Sequence, residues 1–437
     1  MRLPMKRIVA AMLLASVSAP AFAQASQDTL GEAVASAIGN NPQLMAQRST
    51  RAVADEQLAQ ARAGTLPSLN FTGSYGTQDL TIGRTFNTPA GTFPLDGQQD
   101  KAQAGLEARQ SIWSGGTLTA KKKQAQAGVT AAEAQLRGVE QDVILSVVTA
   151  YVDVRRGEQE VRIRETNVDS LRTQVRAAKD RFQAGEVTRT DVAQAESQEA
   201  ASEGQLAQAR AGLAAARASY QRIVGRPAVQ LADPPATPLL PATLDEALSA
   251  AQADNPDLAT ARAQEIAAQK GIDVAKGDLM PKLDIIGNAG GTDTIVDQTY
   301  RDTSVGLTAQ IRIPLYEGGL LSSKTRQSRL EADRARYNRM AIERQATADT
   351  TTAWHNLIAA REAITASQSR VTAAEVAMEG VTQELAVGTR ITLDVLDQER
   401  ELLAAQLAQV DSERAAYLAA HQLLAATGRL KADAIGK

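Results

Sequence analysis

The chain has 437 residues and no cysteine, which excludes a disulfide framework, a thiolate metal site and a lipid-anchored N-terminal cysteine. Its formal net charge of −3 becomes −6 once Arg2, Lys6 and Arg7 are removed with a signal peptide, and this acidic balance argues against nucleic-acid binding. Aromatic residues make up only 3% of the chain while Ala, Gln, Glu and Arg are abundant, a composition typical of long helices packed side by side.

The first residues have the pattern of a secretory signal peptide. Three basic residues precede an apolar run at 8–17, and Ala21-Phe22-Ala23 supplies an A-x-A cleavage site. We therefore expect a signal peptide over 1–23 and a mature chain that starts at Gln24. The apolar run is shorter than the roughly 20 residues that a transmembrane helix needs, and no later stretch approaches that length.

The mature chain is predicted to begin with a helix from Thr29 to about Ala63, followed by two strands. Apolar and polar residues alternate over 66–75, which predicts a strand with one apolar face. A polar loop rich in glycine and proline then leads to a second strand that ends at Trp113.

Two long helices are predicted next. The hydrophobic period is helical over 117–182, a length of roughly 100 Å at about 1.5 Å per residue. A turn at Gly185 interrupts the pattern, and a second helix is predicted over about 190–224.

The whole pattern then occurs a second time. Thr29 corresponds to Thr243, an offset of 214 residues, and after a shorter loop Gly185 corresponds to Gly388, an offset of 203. This indicates an internal tandem duplication. The predicted organisation is a signal peptide over 1–23, a first repeat over 24–226, a proline-rich linker over 227–242, a second repeat over 243–428 and a C-terminal tail over 429–437.

In both repeats a glycine pair separates a strand from a long helix. Alternating hydrophobicity over 305–315 ends before Gly318 and Gly319, as the earlier strand ends before Gly115 and Gly116. Because glycine adopts backbone angles that other residues avoid, these pairs are predicted to be strand–helix hinges, and the two single glycines at the helix turns are predicted to form hairpin tips.

The long helices carry a seven-residue apolar repeat. Such a repeat implies helices that supercoil on a neighbour, so each turn is predicted to fold its helices into an antiparallel coiled hairpin. The residues at this spacing are Val147, Val154, Val161, Val168, Val175 and Phe182 in the first repeat and Leu357, Ile364, Val371, Met378 and Leu385 in the second.

The four strands raise a problem of closure. Each has about ten residues with one apolar face, as outer-membrane barrel strands do. Four strands are too few to close a barrel, and the bilayer does not tolerate open sheet edges. Several chains are therefore predicted to pool their strands, three chains giving twelve. The alternative from patterning alone is a set of soluble hairpins packed on a helix.

At this point the chain resembles the TolC family of outer-membrane channels over essentially its whole mature length. The most specific segment is 387–397, Val-Gly-Thr-Arg-Ile-Thr-Leu-Asp-Val-Leu-Asp. Gly185 with Asp191-Val192 matches in the first repeat, and 314–319, Pro-Leu-Tyr-Glu-Gly-Gly, matches at the strand–helix junction.

The resemblance implies a protein of mixed α and β structure, mostly α. Three chains would form one twelve-stranded transmembrane barrel in the outer membrane of a Gram-negative bacterium. The barrel would be continuous with a long periplasmic helical coiled-coil barrel closed by the hairpin tips. Such homotrimers sit in outer-membrane lipid, dock onto a periplasmic adaptor and an inner-membrane transporter of the ABC or RND class, and export drugs or unfolded proteins.

Two acids lie near the second hairpin tip. Asp394 and Asp397 are three residues apart on a helix, so they share a face and would form two stacked carboxylate rings around a threefold axis. The alternative is that acids in a first helical turn favour the helix dipole. The first repeat has Asp191 but Gln194 in the corresponding second place, so one hairpin per chain would supply both rings.

The resemblance also implies a latch. In the family, the position of Asp191 accepts bonds from an arginine that matches Arg390 and from a tyrosine whose place is taken here by Leu385. We therefore expect a weaker or differently built latch. The alternative role for Asp191 is a capping box with Thr188.

The remaining candidates are weaker. Trp113 and Tyr316 are predicted to be aromatic anchors at the membrane interface, or else packed at the helix junction. His355 and His421 are predicted to be structural or solvated, and the run Lys121-Lys122-Lys123 to be a solvated face. We found no catalytic pairing, cofactor loop or metal-ligand spacing, so the protein is predicted not to be an enzyme.

The leading interpretation is a passive export duct. A periplasmic coiled-coil adaptor or scaffold without a pore is the alternative, although such proteins usually have one hairpin flanked by separate β domains. Two kinds of cargo stay open for such a duct, secreted proteins and drugs, and the absence of a lipidated cysteine slightly favours protein secretion.

Overall fold

The computed structural model describes residues 28–80, 85–89, 91–94, 97–295 and 299–435, so the predicted signal peptide lies outside the described residues. The helices are α1 (Leu30–Asn40), α2 (Pro42–Ala63), α3 (Thr117–Gln183), α4 (Arg189–Val224), α5 (Leu244–Asp254), α6 (Pro256–Gly277), α7 (Leu320–Ala386) and α8 (Thr392–Ala426). The strands are β1 (Ser68–Leu80), β2 (Thr85–Thr88), β3 (Gly91–Pro94), β4 (Gly97–Trp113), β5 (Lys282–Ile295) and β6 (Thr299–Arg312).

The first predicted helix is in fact two helices. Asn41 has an extended backbone and ends α1, while its Oδ1 accepts hydrogen bonds from the N–H groups of Gln43 (2.9 Å) and Leu44 (3.3 Å) at the start of α2. Pro42 occupies the first position of α2, where its missing N–H costs nothing. Asn255 and Pro256 separate α5 from α6 in the same way.

The four long strands form one antiparallel sheet in the order β1-β4-β5-β6. The central β4–β5 pair joins the two repeats, with Leu106 opposite Ala289. The predicted loop between the first two strands contains a small separate hairpin, β2–β3, with Phe86 opposite Phe93 in the backbone register. The outer edges of the sheet are β1 and β6.

The helices below the sheet lie in the same order as the strands. Helix α3 contacts α2 on one side and α6 on the other, and α6 contacts α7, which gives the order α2-α3-α6-α7. Each of these helices continues directly from the strand above it, because α2 precedes β1, α3 follows β4, α6 precedes β5 and α7 follows β6. The sheet and the helical layer therefore have their free edges on the same two sides.

The two predicted hairpins are present. Helix α4 folds back along α3, α8 folds back along α7, and the hairpins meet each other through α3 and α8. The apolar repeat is well buried in the middle of α3, at Val147, Val154 and Val168, and ends in the exposed Phe182 at the tip. In α7 Leu357 is buried, whereas the rest of the repeat down to Leu385 is half-buried within one chain.

The main apolar core lies at mid-height of α3. There α1, the end of α4 and the end of α8 surround Val147 and Tyr151, and the C-terminal tail adds Leu430 and Ile435. No helix in the described ranges is both long enough and apolar enough to span a bilayer.

Candidate functional site

The hairpin tips are tight turns that depend on glycine. Gly185 and Gly388 have φ of +79° and +80°, in the left-handed region that favours glycine. After each glycine the chain reaches back to its helix, since the Glu186 N–H donates to the Arg181 carbonyl and the Thr389 N–H to the Glu384 carbonyl, both at 2.9 Å. The two turns set the positions of the first residues of α4 and α8.

Both candidate acids of the second tip lie in the first two turns of α8. The Asp394 carboxylate accepts a hydrogen bond from the Ile391 N–H at 3.3 Å, so it caps the helix. Asp397 forms an ion pair with Arg400, one turn further along. The two carboxylates are three residues apart and both remain partly exposed, which leaves them available to a ligand or to another chain.

Within one chain Arg390 is held by its own hairpin. Its Nε donates to Glu384 Oε2 at 2.8 Å, and its Nη1 lies 3.8 Å from Asp394 Oδ2. The hydrogen bond to Glu384, with the added charge of Asp394, raises the pKa of Arg390 above its usual value. Sequence reasoning missed Glu384, although an acid six residues before an arginine across a tight turn was a usable signal.

Asp191 forms a capping box with Thr188, the alternative role that the sequence predicts for it. The Thr188 N–H donates to Asp191 Oδ2 at 2.8 Å, and the Asp191 N–H donates to Thr188 Oγ1 at 3.3 Å. Asp191 and Arg390 nevertheless line the same cleft, of about 560 Å³, between the two tips. Leu385 lines it as well, so the structure gathers the three residues of the expected latch around one space.

The two strand–helix junctions both use left-handed glycines, with different surroundings. Gly115 and Gly116 have φ of +63° and +85°, and Gly318 and Gly319 have φ of +61° and +84°. A Cβ on Gly115 would lie 2.4 Å from the Met280 Cβ and 2.6 Å from the Gly277 carbonyl oxygen, whereas a Cβ on Gly318 would meet no atom within 4 Å.

One face of the sheet is apolar and uncovered in the half next to the helices, whereas farther from them it carries the Asp293–Arg301 ion pair. Phe71 on β1 is 70% exposed, and Val305 and Leu307 on β6 are 88% and 80% exposed, although they alternate with polar residues in regular strands. The opposite face is polar: Arg109 lies 3.6 Å from Asp284, and its Nη2 donates to Gln310 Oε1 at 3.4 Å. In water such an apolar face would be unstable, so it needs an apolar environment.

A β-bulge sets the position of Trp113. Ser111 pairs with Asp284, but the next paired residue is Trp113, opposite Leu283, so Ile112 is the additional residue. Leu283 in turn pairs with Ile311 on β6, and both lie on the apolar face of the sheet, so Trp113 lies on that face as well. Trp113 is 58% exposed and Tyr316 is 86% exposed, so neither is buried at the helix junction within the chain.

The histidines lie away from these features. His421 is buried, with Nδ1 2.8 Å from the Tyr417 carbonyl oxygen, and burial lowers its pKa. His355 is exposed on α7. Among the described residues no group of three or more His, Asp or Glu side chains is placed to hold a metal ion.

Comparison with known proteins gives one consistent family. The family model described as "outer membrane efflux protein" matches residues 33–226 and 247–429, one match in each repeat. The outer membrane efflux protein BepC of Brucella suis is 32% identical over 99% of this chain and 92% of its own length. The alkaline protease secretion protein AprF of Pseudomonas aeruginosa is 24% identical over 84% of this chain and 78% of its own.

Solved structures share the fold. The outer membrane protein VceC of Vibrio cholerae superposes with a TM-score of 0.79 at 20% identity, and the match covers 91% of this chain and 96% of VceC.

Proposed function

The chain belongs to the outer membrane efflux protein family, and from this premise we propose that it works as a homotrimeric exit duct. It is an outer-membrane export channel and not an enzyme. The family membership favours this function over the periplasmic adaptor that the sequence left open. What we propose beyond it concerns the assembly, the gate, the partners and the substrates.

The proposed assembly rests on one observation: the sheet and the helical layer have their free edges on the same two sides. β1 and β6 end the sheet, and α2 and α7 end the helical layer on the same two sides. Joining copies edge to edge therefore pairs the open strand edges and closes the helical tube in a single step, as the bilayer requires. Two copies would give eight strands and three copies twelve, and the wider ring leaves a lumen for cargo.

The two faces of the sheet fix the orientation of the barrel. The uncovered apolar face turns to lipid, and the polar face with Arg109 and Asp284 lines the water-filled lumen. Trp113 and Tyr316 anchor the lower rim at the membrane interface. The glycine pairs act as hinges where each strand turns into its helix.

The gate lies at the hairpin tips. Around the threefold axis Asp394 and Asp397 of three chains form two carboxylate rings that attract and retain cations. The cleft shared by Asp191 and Arg390 allows these residues to pair when the tips shift. In the structure Arg390 pairs with Glu384 instead, which supports a latch built differently from that of the family members with a tyrosine in place of Leu385.

The duct receives cargo from an inner-membrane transporter of the ABC or RND class through a periplasmic adaptor. BepC is named an efflux protein and AprF a protease secretion protein, so relatives of this chain serve both kinds of export. The tunnel contributes a bore and its charges, and the partner transporter selects the substrate.

Planar-bilayer conductance of the purified mature protein tests this function. We expect small discrete openings that millimolar divalent cations block from the side of the helical tips. The double variant Asp394→Asn/Asp397→Asn should lose at least tenfold in sensitivity to the block, because the carboxylate rings are gone.

Glu375 on α7 is exposed and has no ion pair in the part of the chain that the structure describes, so Glu375→Gln is the control and should leave the block unchanged. Absence of any conductance from folded, membrane-extracted wild-type protein would contradict the duct. An unchanged block in the double variant would contradict only the acidic gate.

A further inference from the structure

Six basic residues lie in the first three turns of α3 and α7, the two helices that follow strands of the sheet. All six side chains are exposed, and none forms an ion pair with another residue in the described part of the chain. We call them the basic belt: Lys121, Lys122 and Lys123 on α3, and Lys324, Arg326 and Arg329 on α7.

The belt differs from the rest of the same helices. No acidic residue occurs over 117–132 or over 320–330. Farther down, acids occur along both helices and some cations pair with acids of a neighbouring helix: Arg172 on α3 donates to Glu203 at 2.7 Å, and Arg339 on α7 donates to Glu265 at 2.6 Å. Others, such as Arg336, have no ion pair among the described residues. Cations near a helix N-terminus also gain nothing from the helix dipole, which favours anions there. The belt charges are therefore not balanced by acids within their own helix segments.

The belt lies at the level where lipid headgroups begin. The apolar row of the sheet ends near Trp113 and Ile311, just above the glycine pairs. At about 1.5 Å per residue, Lys121 lies roughly 6 Å and Arg329 roughly 14 Å along its helix. The headgroup zone extends roughly 5–8 Å beyond the hydrocarbon, and the long stems of lysine and arginine reach several ångströms farther.

Some of these charges must point out of the tube. Successive helical residues are about 100° apart, so the three consecutive lysines of α3 cover about 200° of its circumference. The three cations of α7 are spread in a similar way. A helix in a single curved layer has one side toward the lumen and one toward the exterior, so the triplet reaches the exterior.

We propose that the basic belt binds the phosphate headgroups of anionic phospholipids in the leaflet next to the helices. The inference rests on the proposed function, which places the sheet in the bilayer as a closed barrel. Two observations favour a phospholipid as the ligand. Its phosphate is complementary in charge to the belt, and its acyl chains would cover the apolar face of the sheet, which lies directly above the belt. Each cation near an anionic surface strengthens binding about fivefold.

Native mass spectrometry of the detergent-solubilised trimer tests the inference. The protein is equilibrated with equal amounts of phosphatidylglycerol and phosphatidylethanolamine that carry the same acyl chains, and the retained lipids are counted. We expect retention of phosphatidylglycerol over phosphatidylethanolamine, and a loss of about tenfold or more in this ratio for Lys121→Gln/Lys122→Gln/Lys123→Gln. The corresponding triple variant of Lys324, Arg326 and Arg329 should behave in the same way.

The matched control is Arg336→Gln/Arg344→Gln/Arg361→Gln. These three arginines are exposed and unpaired among the described residues of the same helix α7, but the nearest lies about 24 Å below its start. The control removes the same charge and should leave the lipid ratio unchanged.

Two results would overturn the inference: no preference for phosphatidylglycerol in the wild type, or an equal loss of that preference in the control variant. Conductance is recorded on the same preparations. A wild type that conducts without preferring the anionic lipid contradicts the belt alone, whereas a wild type that does not conduct contradicts the duct.

Discussion

At the residue scale, the least expected feature is a carboxyl group buried where the two hairpins meet. Glu399 on α8 is 5% exposed. Its Oε1 is 3.5 Å from the Asn167 Nδ2 donor on α3, and Oε2 has no hydrogen-bond partner among the described residues. Asn167 in turn accepts from Ser202 of α4 at 2.7 Å. This polar layer lies one turn from the apolar contact between Leu396 and α3.

Glu399 is predicted to make the stability of the hairpin contact depend on pH. Burial raises the pKa of Glu399. The folded state therefore binds this proton more tightly than the unfolded state, and stability falls as pH rises from the ordinary glutamate pKa through the raised one. Glu399→Gln should stabilise the protein at pH 7.5 by about 1–3 kcal/mol, and have little effect at pH 4.

Thermal loss of helical circular dichroism at several pH values measures this effect. Glu375→Gln on the exposed surface of α7 is the control and should change the transition at neither pH. A variant of Glu399 that melts earlier at pH 7.5 would show that the charged form is the stabilising one.

At the scale of elements, the two strand–helix junctions have the same glycine pair but require it for different reasons. At Gly318 only the left-handed backbone requires glycine, whereas at Gly115 the neighbouring Met280 and Gly277 also leave no space for a Cβ. The difference arises because the first junction lies between helices α2 and α6 of the layer, and the second lies at its free edge.

Alanine substitution at the two junctions should therefore differ in cost. Gly318→Ala is expected to destabilise by about 1–2 kcal/mol, the cost of a left-handed non-glycine residue. Gly115→Ala carries the same cost plus the clash, so the proposed trimer of this variant should dissociate at a clearly lower temperature on semi-native gels. Equal dissociation temperatures for the two variants would mean that the junction at Gly115 adjusts to the added methyl group, and that its contact with Met280 and Gly277 does not affect stability.

At the scale of the whole molecule, the two faces of the sheet become outside and inside only when several copies close the barrel. Leu307 and Thr308 are neighbours on the edge strand β6 and point to opposite faces at nearly the same depth. Leu307→Arg should cost about 2–4 kcal/mol, because it puts a charge against lipid, whereas Thr308→Arg faces the aqueous lumen and should be tolerated.

Urea titration of both variants folded into lipid vesicles measures this difference, with Thr308→Arg as the control for depth and for added charge. If the two arginines cost the same, the apolar face does not turn to lipid and the proposed orientation of the barrel is wrong.

Most of the secondary structure can be predicted from the amino-acid sequence alone. The long helices follow from local periodicity, and α3 begins at the predicted residue and ends one residue from the predicted position. The glycine turns between them predict the two hairpins. Periodicity is readable because each apolar residue must find the buried side of its own helix or strand. The break between α1 and α2 has a signal in the sequence, a capping asparagine at Asn41 followed by Pro42. The helical periodicity on both sides of it nevertheless predicts one continuous helix.

The contacts between side chains, in contrast, follow from the packing of the elements in three dimensions. The pairing of Arg390 with Glu384, the bulge that puts Trp113 in the apolar row and the burial of Glu399 depend on which element lies opposite. Local spacing does not encode such contacts, because they join residues distant in sequence through the rotation and register of packed elements. The strand order β1-β4-β5-β6 belongs to the same class, since it sets which edges stay open and hence where other copies join.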